Sequence, residues 1–184
     1  MRVSHLHFAL FDSAPTPDDT LPPAVSSSLL EAGEAWTVAR RVAVGINPAW
    51  LVASSDDRLC LVQLIYPVVS VVNRRSVPPI TSTTCASENE AAGGNLLVTD
   101  SLIAEVGARE RNLIVGIVPD GVSVVKVRET DGQVFTVRVS RNAYEALIGH
   151  PQSVGFVYKT ARHVVPVKSF SSKGHYQAPA KEAF

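Results

Sequence analysis

The sequence predicts an α+β fold, mainly antiparallel β-sheet with one or two N-terminal helices packed on it. Three observations predict it. The stretch from Asn112 to Ser140 reads as three Val- and Ile-rich runs separated by Pro119-Asp120-Gly121 and Thr130-Asp131-Gly132, which suits a sheet with tight turns. Leu59 to Tyr66 is almost continuous in apolar residues, as expected of a strand covered on both faces. Helical signals concentrate after Pro22-Pro23, with Val25, Leu29 and Leu30 placed to share a buried side.

The turn chemistry carries a register. In both turns Asp can bond its own backbone and Gly accepts φ > 0. A two-residue turn at Asp131-Gly132 would set Val125 opposite Arg138 and mix apolar with polar on one face. A three-residue loop with Gly132 left-handed pairs Val127 with Phe135 and Val125 with Val137. The same rule at Pro119-Asp120-Gly121 pairs Val115 with Val125 and Ile117 with Ser123. One face then collects Leu113, Val115, Ile117, Val125, Val127, Phe135, Val137 and Val139, while Lys126, Arg128, Thr136 and Arg138 turn to water. Such a face needs a cover, and the N-terminal helical segment is the expected one.

Taken in order, residues 1–24 form an N-terminal extension, 25–167 a single domain and 168–184 a loose tail rich in Ser, Lys, Gly and Pro. Phe8 to Phe11 is a short apolar piece ahead of a Pro- and Asp-rich loop. The helix after Pro22-Pro23 stops at Gly33, and Ala35 to Arg41 is expected as a second short helix. Strands are expected over Val42 to Ile46, Trp50 to Ala53, Leu59 to Tyr66 and Val68 to Val72. Trp50 is expected in the core rather than as an exposed aromatic platform. Ser82 to Gly94 resembles a capped helical turn stopped by Gly93-Gly94. Leu96 to Val98 and Leu102 to Val106 suggest a hairpin about Thr99-Asp100-Ser101, and Arg109 to Arg111 a charged turn. Asn142 to Ile148 reads equally as helix or strand. Val154 to Lys159 and His163 to Val167 form a final hairpin about Thr160-Ala161.

Composition narrows the function. The 184 residues are 46% hydrophobic and 18% charged, with 17 Lys and Arg against 17 Asp and Glu, so the chain has the makings of a folded core. Its scattered cations give no phosphate-binding footprint, which argues against nucleic acid. No run reaches the roughly 18 apolar residues of a membrane helix. The first ten residues lack the apolar centre of a secretory signal, so the protein is expected to be cytoplasmic unless an export segment precedes this sequence.

Few residues point to chemistry. Cys60 and Cys85 are read either as a disulfide or as two buried thiols. Two cysteines with distant histidines lack metal-site spacing, and no cofactor motif occurs. Gly93-Gly94 reads as a helix stop, not a phosphate cradle, and the nucleophile elbow of serine hydrolases is missing. Cys85 with His150 or His163, or Asp120 with a histidine, is the alternative reading, a hydrolase-like pair. Asp120 is more simply a turn former, His5 and His7 an exposed alternating pair, and Glu88 and Glu90 a solvated helix face.

One set of motifs has a familiar order. Trp50-Leu51-Val52, Leu59-Cys60-Leu61, Cys85, Gly93, Gly116-Ile117-Val118-Pro119-Asp120-Gly121-Val122, Val134 to Val139 and Asn142-Ala143-Tyr144 resemble a group of uncharacterised actinobacterial proteins. The similarity, with the Phe8 to Pro22 stretch, spans most of residues 8 to 145. It implies a Cys60–Cys85 bridge and a place outside the cytoplasm, since members often follow a membrane anchor or export signal. It implies no substrate. The expectation is therefore a non-enzymatic extracytoplasmic binding or sensory module of the cell envelope, against two alternatives: a small hydrolase-like enzyme using Cys85 or Asp120, and an intracellular regulatory domain that engages a protein partner.

Overall fold

The structure, a computed structural model, describes residues 7–31, 33, 35–43, 47–54, 58–66, 79–102 and 111–167. Two short 3₁₀ turns, Ala9–Asp12 and Pro17–Asp19, precede helix α1 (Pro23–Glu31). Then come β1 (Trp36–Ala43), β2 (Ala49–Ser54), β3 (Arg58–Ile65), β4 (Ile80–Ser87), helix α2 (Glu88–Ala92), β5 (Leu97–Leu102) and β6 (Arg111–Ile117). The last five strands are β7 (Val124–Glu129), β8 (Val134–Arg138), β9 (Ala143–Ile148), β10 (Pro151–Tyr158) and β11 (Ala161–Pro166). They form three antiparallel sheets ordered β1-β2-β3-β4, β5-β6-β9 and β11-β10-β7-β8.

The sheets are held face to face by alternation along the strands. Leu51, Ala53, Leu59 and Leu61 of the first sheet pack with Leu113, Val115 and Ile117 of β6 in the largest core. The other face of β2 and β3, with Trp50, Val52, Cys60 and Val62, packs with Val25 and Leu29 of α1. On its second face the middle sheet offers Ile114, Tyr144, Ala146 and Ile148 to Val125, Val127, Val154 and Phe156 of the third. The order of layers is thus helix, sheet, sheet, sheet. The reading of Leu59 to Tyr66 as a strand covered on both sides holds from Leu59 to Leu64, while Tyr66 lies past the end of β3 and is 51% exposed; the burial of Trp50, 4% exposed, also holds.

The β7–β8 register is the one the turn chemistry required: Val127 faces Phe135 and Val125 faces Val137, with Gly132 at φ +90°. The pairing of β6 with β7 is not found. β6 pairs with β5 and β9, while β7 pairs with β8 and β10. Pro119-Asp120-Gly121 therefore carries the chain from one sheet to the next instead of closing a hairpin, and Leu113, Val115 and Ile117 line a different core from Val125 and Val127. Local pattern fixes which face a side chain takes but not which sheet lies across from it. Phe135 is 39% exposed, because β8 is an edge strand.

Other expectations are corrected in the same way. Ala35 to Arg41 lies within β1, not a helix. The guanidinium of Arg40 is buried there by carbonyls far away in sequence: Nη2 donates to Ser13 O at 2.6 Å and Nε to Leu10 O at 3.3 Å. Ser82 to Ser87 belongs to β4, and the helical turn begins only at Glu88, where Ser87 caps it and Glu90 closes the capping box. Thr99-Asp100-Ser101 runs straight through β5 opposite Ile114, Leu113 and Asn112, so no turn interrupts it. Asn142 to Ile148 resolves as strand β9. The final hairpin turns at Lys159-Thr160, both at positive φ (45° and 67°), one residue earlier than expected. Leu30 is 66% exposed, so only Val25 and Leu29 are buried on α1. His5, residues 44–46, Val68 to Val72, residues 103–110 and the 168–184 tail lie outside the described residues.

Candidate functional site

The structure ties the cysteines and turn aspartates singled out from sequence into the fold. Cys60 and Cys85 sit directly opposite each other in the β3–β4 pair and form a disulfide, so neither carries a thiol. Asp120 has its carboxylate engaged: Oδ2 accepts from the Ala9 amide at 2.6 Å and Oδ1 from the Asn142 side-chain amide at 2.9 Å. Its own amide donates to His7 O, so Asp120 clamps the N-terminal segment onto the end of β6. Asp131 accepts from the Gln133 amide and shapes the β7–β8 loop with Gly132.

The histidines are also placed. His7 Nδ1 is 2.9 Å from Tyr158 Oη, and the His7 amide donates to Glu88. His163 stacks on Phe156, with centroids 5.1 Å apart. The His150 amide, with that of Gly149, donates to Glu129 Oε1. Ser87 donates to Glu90 from its amide and its hydroxyl, which holds the Glu90 carboxyl below the usual range. Among the described residues no three His, Cys, Asp or Glu side chains gather as a metal would require.

What the strands assemble instead is a groove on the outer face of the third sheet. Gly155 in β10 lies between Val164 of β11 and Lys126 of β7, and Lys126 in turn faces Thr136 of β8. One row further along, Val157 faces Arg162 and Val124 faces Arg138; one row back, Ser153 lies between Pro166 and Arg128, which faces Val134. Residues directly opposite in a sheet share a face, so Lys126, Arg128, Arg138 and Arg162 all project from this side. All four are exposed. No position in these rows is acidic, although the whole chain is neutral. Val124, Val134, Val157 and Val164 stand among them, 40%, 46%, 63% and 56% exposed.

The groove has a volume of about 440 Å³, within the size of small-ligand clefts, and is lined by Ser123, Val124, Lys126, Gly155, Val157 and Arg162 among others. Its floor is Gly155. The other glycines near the core have local reasons to be glycine. A side chain at Gly116 would collide with the Tyr144 ring, and Gly94 takes φ +88° against Phe156. Gly155 has neither. A Cβ there would meet nothing closer than His163 O at 3.5 Å, an ordinary contact, and its φ is not left-handed. A glycine inside a strand gives up packing and chain entropy, and it commonly marks a place where something must approach the backbone.

Part of this site was legible. The alternation of β7 and β8 had already turned Lys126, Arg128 and Arg138 outward together. Gly155 and Arg162 were missed, and the signal for Gly155 was its place between Val154 and Phe156, mid-strand and without turn chemistry. No helix among the described residues is long and apolar enough to cross a membrane. In comparison with known proteins the chain matches no family model, no curated protein and no solved structure.

Proposed function

We propose that this protein is a non-enzymatic binding module of an oxidising, extracytoplasmic compartment, and that its ligand seats in the groove over Gly155. The observation that carries the reading is Gly155 itself: a strand glycine with room above it, no backbone demand for it, Lys126 beside it and Arg162 on the groove wall. The Cys60–Cys85 bridge supports the compartment, because cytosolic thiols are kept reduced. The resemblance to actinobacterial proteins that follow an anchor or export signal points the same way. The bridge weighs against an intracellular regulatory domain and an enzyme with Cys85 as nucleophile, and the engagement of both Asp120 oxygens by Ala9 and Asn142 weighs against the enzyme that would use Asp120.

A photo-crosslinking residue in place of Val157, in the native host, tests this. Crosslinks to a defined partner, lost on Gly155→Val and missing when the probe replaces the exposed Glu31 of α1, are the expected result. Crosslinking indifferent to Gly155, or two free thiols in protein recovered from the host, overturns it.

A further inference from the structure

We infer that the occupant of this face is an extended acidic peptide segment, with carboxylates on one side at two-residue spacing; the inference rests on the binding reading above. The distribution of charge decides against a point anion. Arg162 and Arg138 stand on the two edge strands, separated by three strand spacings of about 4.8 Å. Lys126 and Arg128 lie between them on β7. Cations spread over some 14 Å do not converge on one phosphate. They match a ligand whose charge is itself spread out.

The apolar residues decide among the extended ligands. Those exposed on this face are valines and Pro166, shorter than the Lys and Arg around them, and the half-exposed ring of β8, Phe135, belongs to the opposite face with Val127. A membrane-seated surface relies on Trp, Tyr or long aliphatic side chains that reach past the charges. Single-stranded nucleic acid needs aromatic faces for its bases. Neither is provided here. Side chains on one face of an extended peptide recur about every 6.8 Å, the spacing that separates Lys126 from Arg128 on β7. Glutamates at that spacing meet the cations in register, while their methylenes cover Val124 and Val157. The missing side chain at Gly155 lets the peptide settle between Lys126 and Val164.

The test is fluorescence anisotropy of the full chain with a short labelled peptide of alternating glutamate and valine. Saturable binding that weakens with salt is expected. Gly155→Val should weaken it about tenfold or more by filling the floor, and Lys126→Glu with Arg162→Glu should abolish it. Gly155→Ala, whose added methyl makes only ordinary contacts, should weaken binding in the same direction should the valine variant fold poorly. The inference is overturned by three outcomes: no binding, binding indifferent to Gly155 and the two cations, or full competition by phosphatidylglycerol vesicles or an oligothymidine strand. Failure of the peptide while crosslinks at position 157 still depend on Gly155 overturns the ligand class alone. Failure of both overturns the function.

Discussion

Tyr144 stands directly opposite Gly116 in the β6–β9 pair, and its ring lies where a side chain at position 116 would be. The middle sheet is buried on both faces, so neither strand can retreat. Gly116→Ala should cost about 1–3 kcal/mol as overpacking. Combining it with Tyr144→Val should recover part of that loss, because the methyl then has space. Urea denaturation of the two single variants and the double variant checks this; strict additivity would show that the two residues do not compete for one volume.

The relation between Gly116 and Tyr144 also marks where the sequence stopped being readable. Alternation within a strand is a local property, and it gave the β7–β8 register, the outward cations of β7 and the central position of β3. Which sheet faces which is set by contacts between residues far apart in the chain. Val115 and Val125 look alike in sequence yet pack in different cores. Ala35 to Arg41 reads as a helix in sequence, and the carbonyls of Leu10 and Ser13 that take up Arg40 on β1 come from far away in the chain. The groove was half legible for the same reason: β7 and β8 are neighbours in sequence, whereas Gly155 reaches Lys126 only through the β10–β7 pairing.

Burial pushes the Tyr144 hydroxyl above the ordinary tyrosine range. A group whose pKa is raised on folding adds stability below its unfolded pKa and loses it as pH climbs toward the folded value. Above about pH 10 the unfolded chain releases a proton that the folded chain keeps, so stability should fall by up to about 1.4 kcal/mol per pH unit from this residue. Tyr144→Phe should remove that slope. Urea midpoints of both proteins between about pH 9 and pH 11 decide it; parallel curves would mean that Tyr144 titrates freely.

Asp19 behaves in the opposite sense. Burial pulls its carboxyl upward, but hydrogen bonds from the Thr16 amide, the Arg41 amide and the Thr16 hydroxyl outweigh burial, with the Arg40 guanidinium adding to them, and hold it below the usual range. A lowered pKa contributes stability above the unfolded value, near 4, that disappears as pH falls through the folded one. Asp19→Asn should therefore cost about 1–2 kcal/mol at neutral pH and progressively less in acid. A deficit that does not shrink on acidification would assign the loss to packing alone.

The Cys60–Cys85 bridge ties β3 to β4 across a separation of 25 residues. Its chain-entropy contribution is about 3–4 kcal/mol. Cys60→Ala with Cys85→Ala should lose about that much, together with the packing of the Cys60 side chain, which is 1% exposed beside Val52 and Val62. Thermal unfolding with and without reductant is the direct measurement. A wild-type midpoint insensitive to complete reduction would remove the bridge from the list of stabilising features.

Asn142 and Asp120 lock the start of β9 to the end of β6. The Asn142 side-chain amide donates to Val118 O at 3.1 Å and to Asp120 Oδ1, while the other Asp120 oxygen holds the Ala9 amide. Asn142 takes φ +63°, so its conformation and its hydrogen bonds can be separated by choice of substituent. Asn142→Gly keeps the left-handed backbone and should lose only the side-chain bonds, about 1 kcal/mol. Asn142→Val should lose those and add about 1–3 kcal/mol of backbone strain. Asp120→Ala acts on the clamp itself. The Asp120 amide can still donate to His7 O, but the Ala9 amide loses its acceptor. Hydrogen exchange at Ala9 should then accelerate while the buried β7 core around Val125 stays protected. Unchanged exchange at Ala9 would mean that the N-terminal segment is held by Phe8 in the main core and not by Asp120.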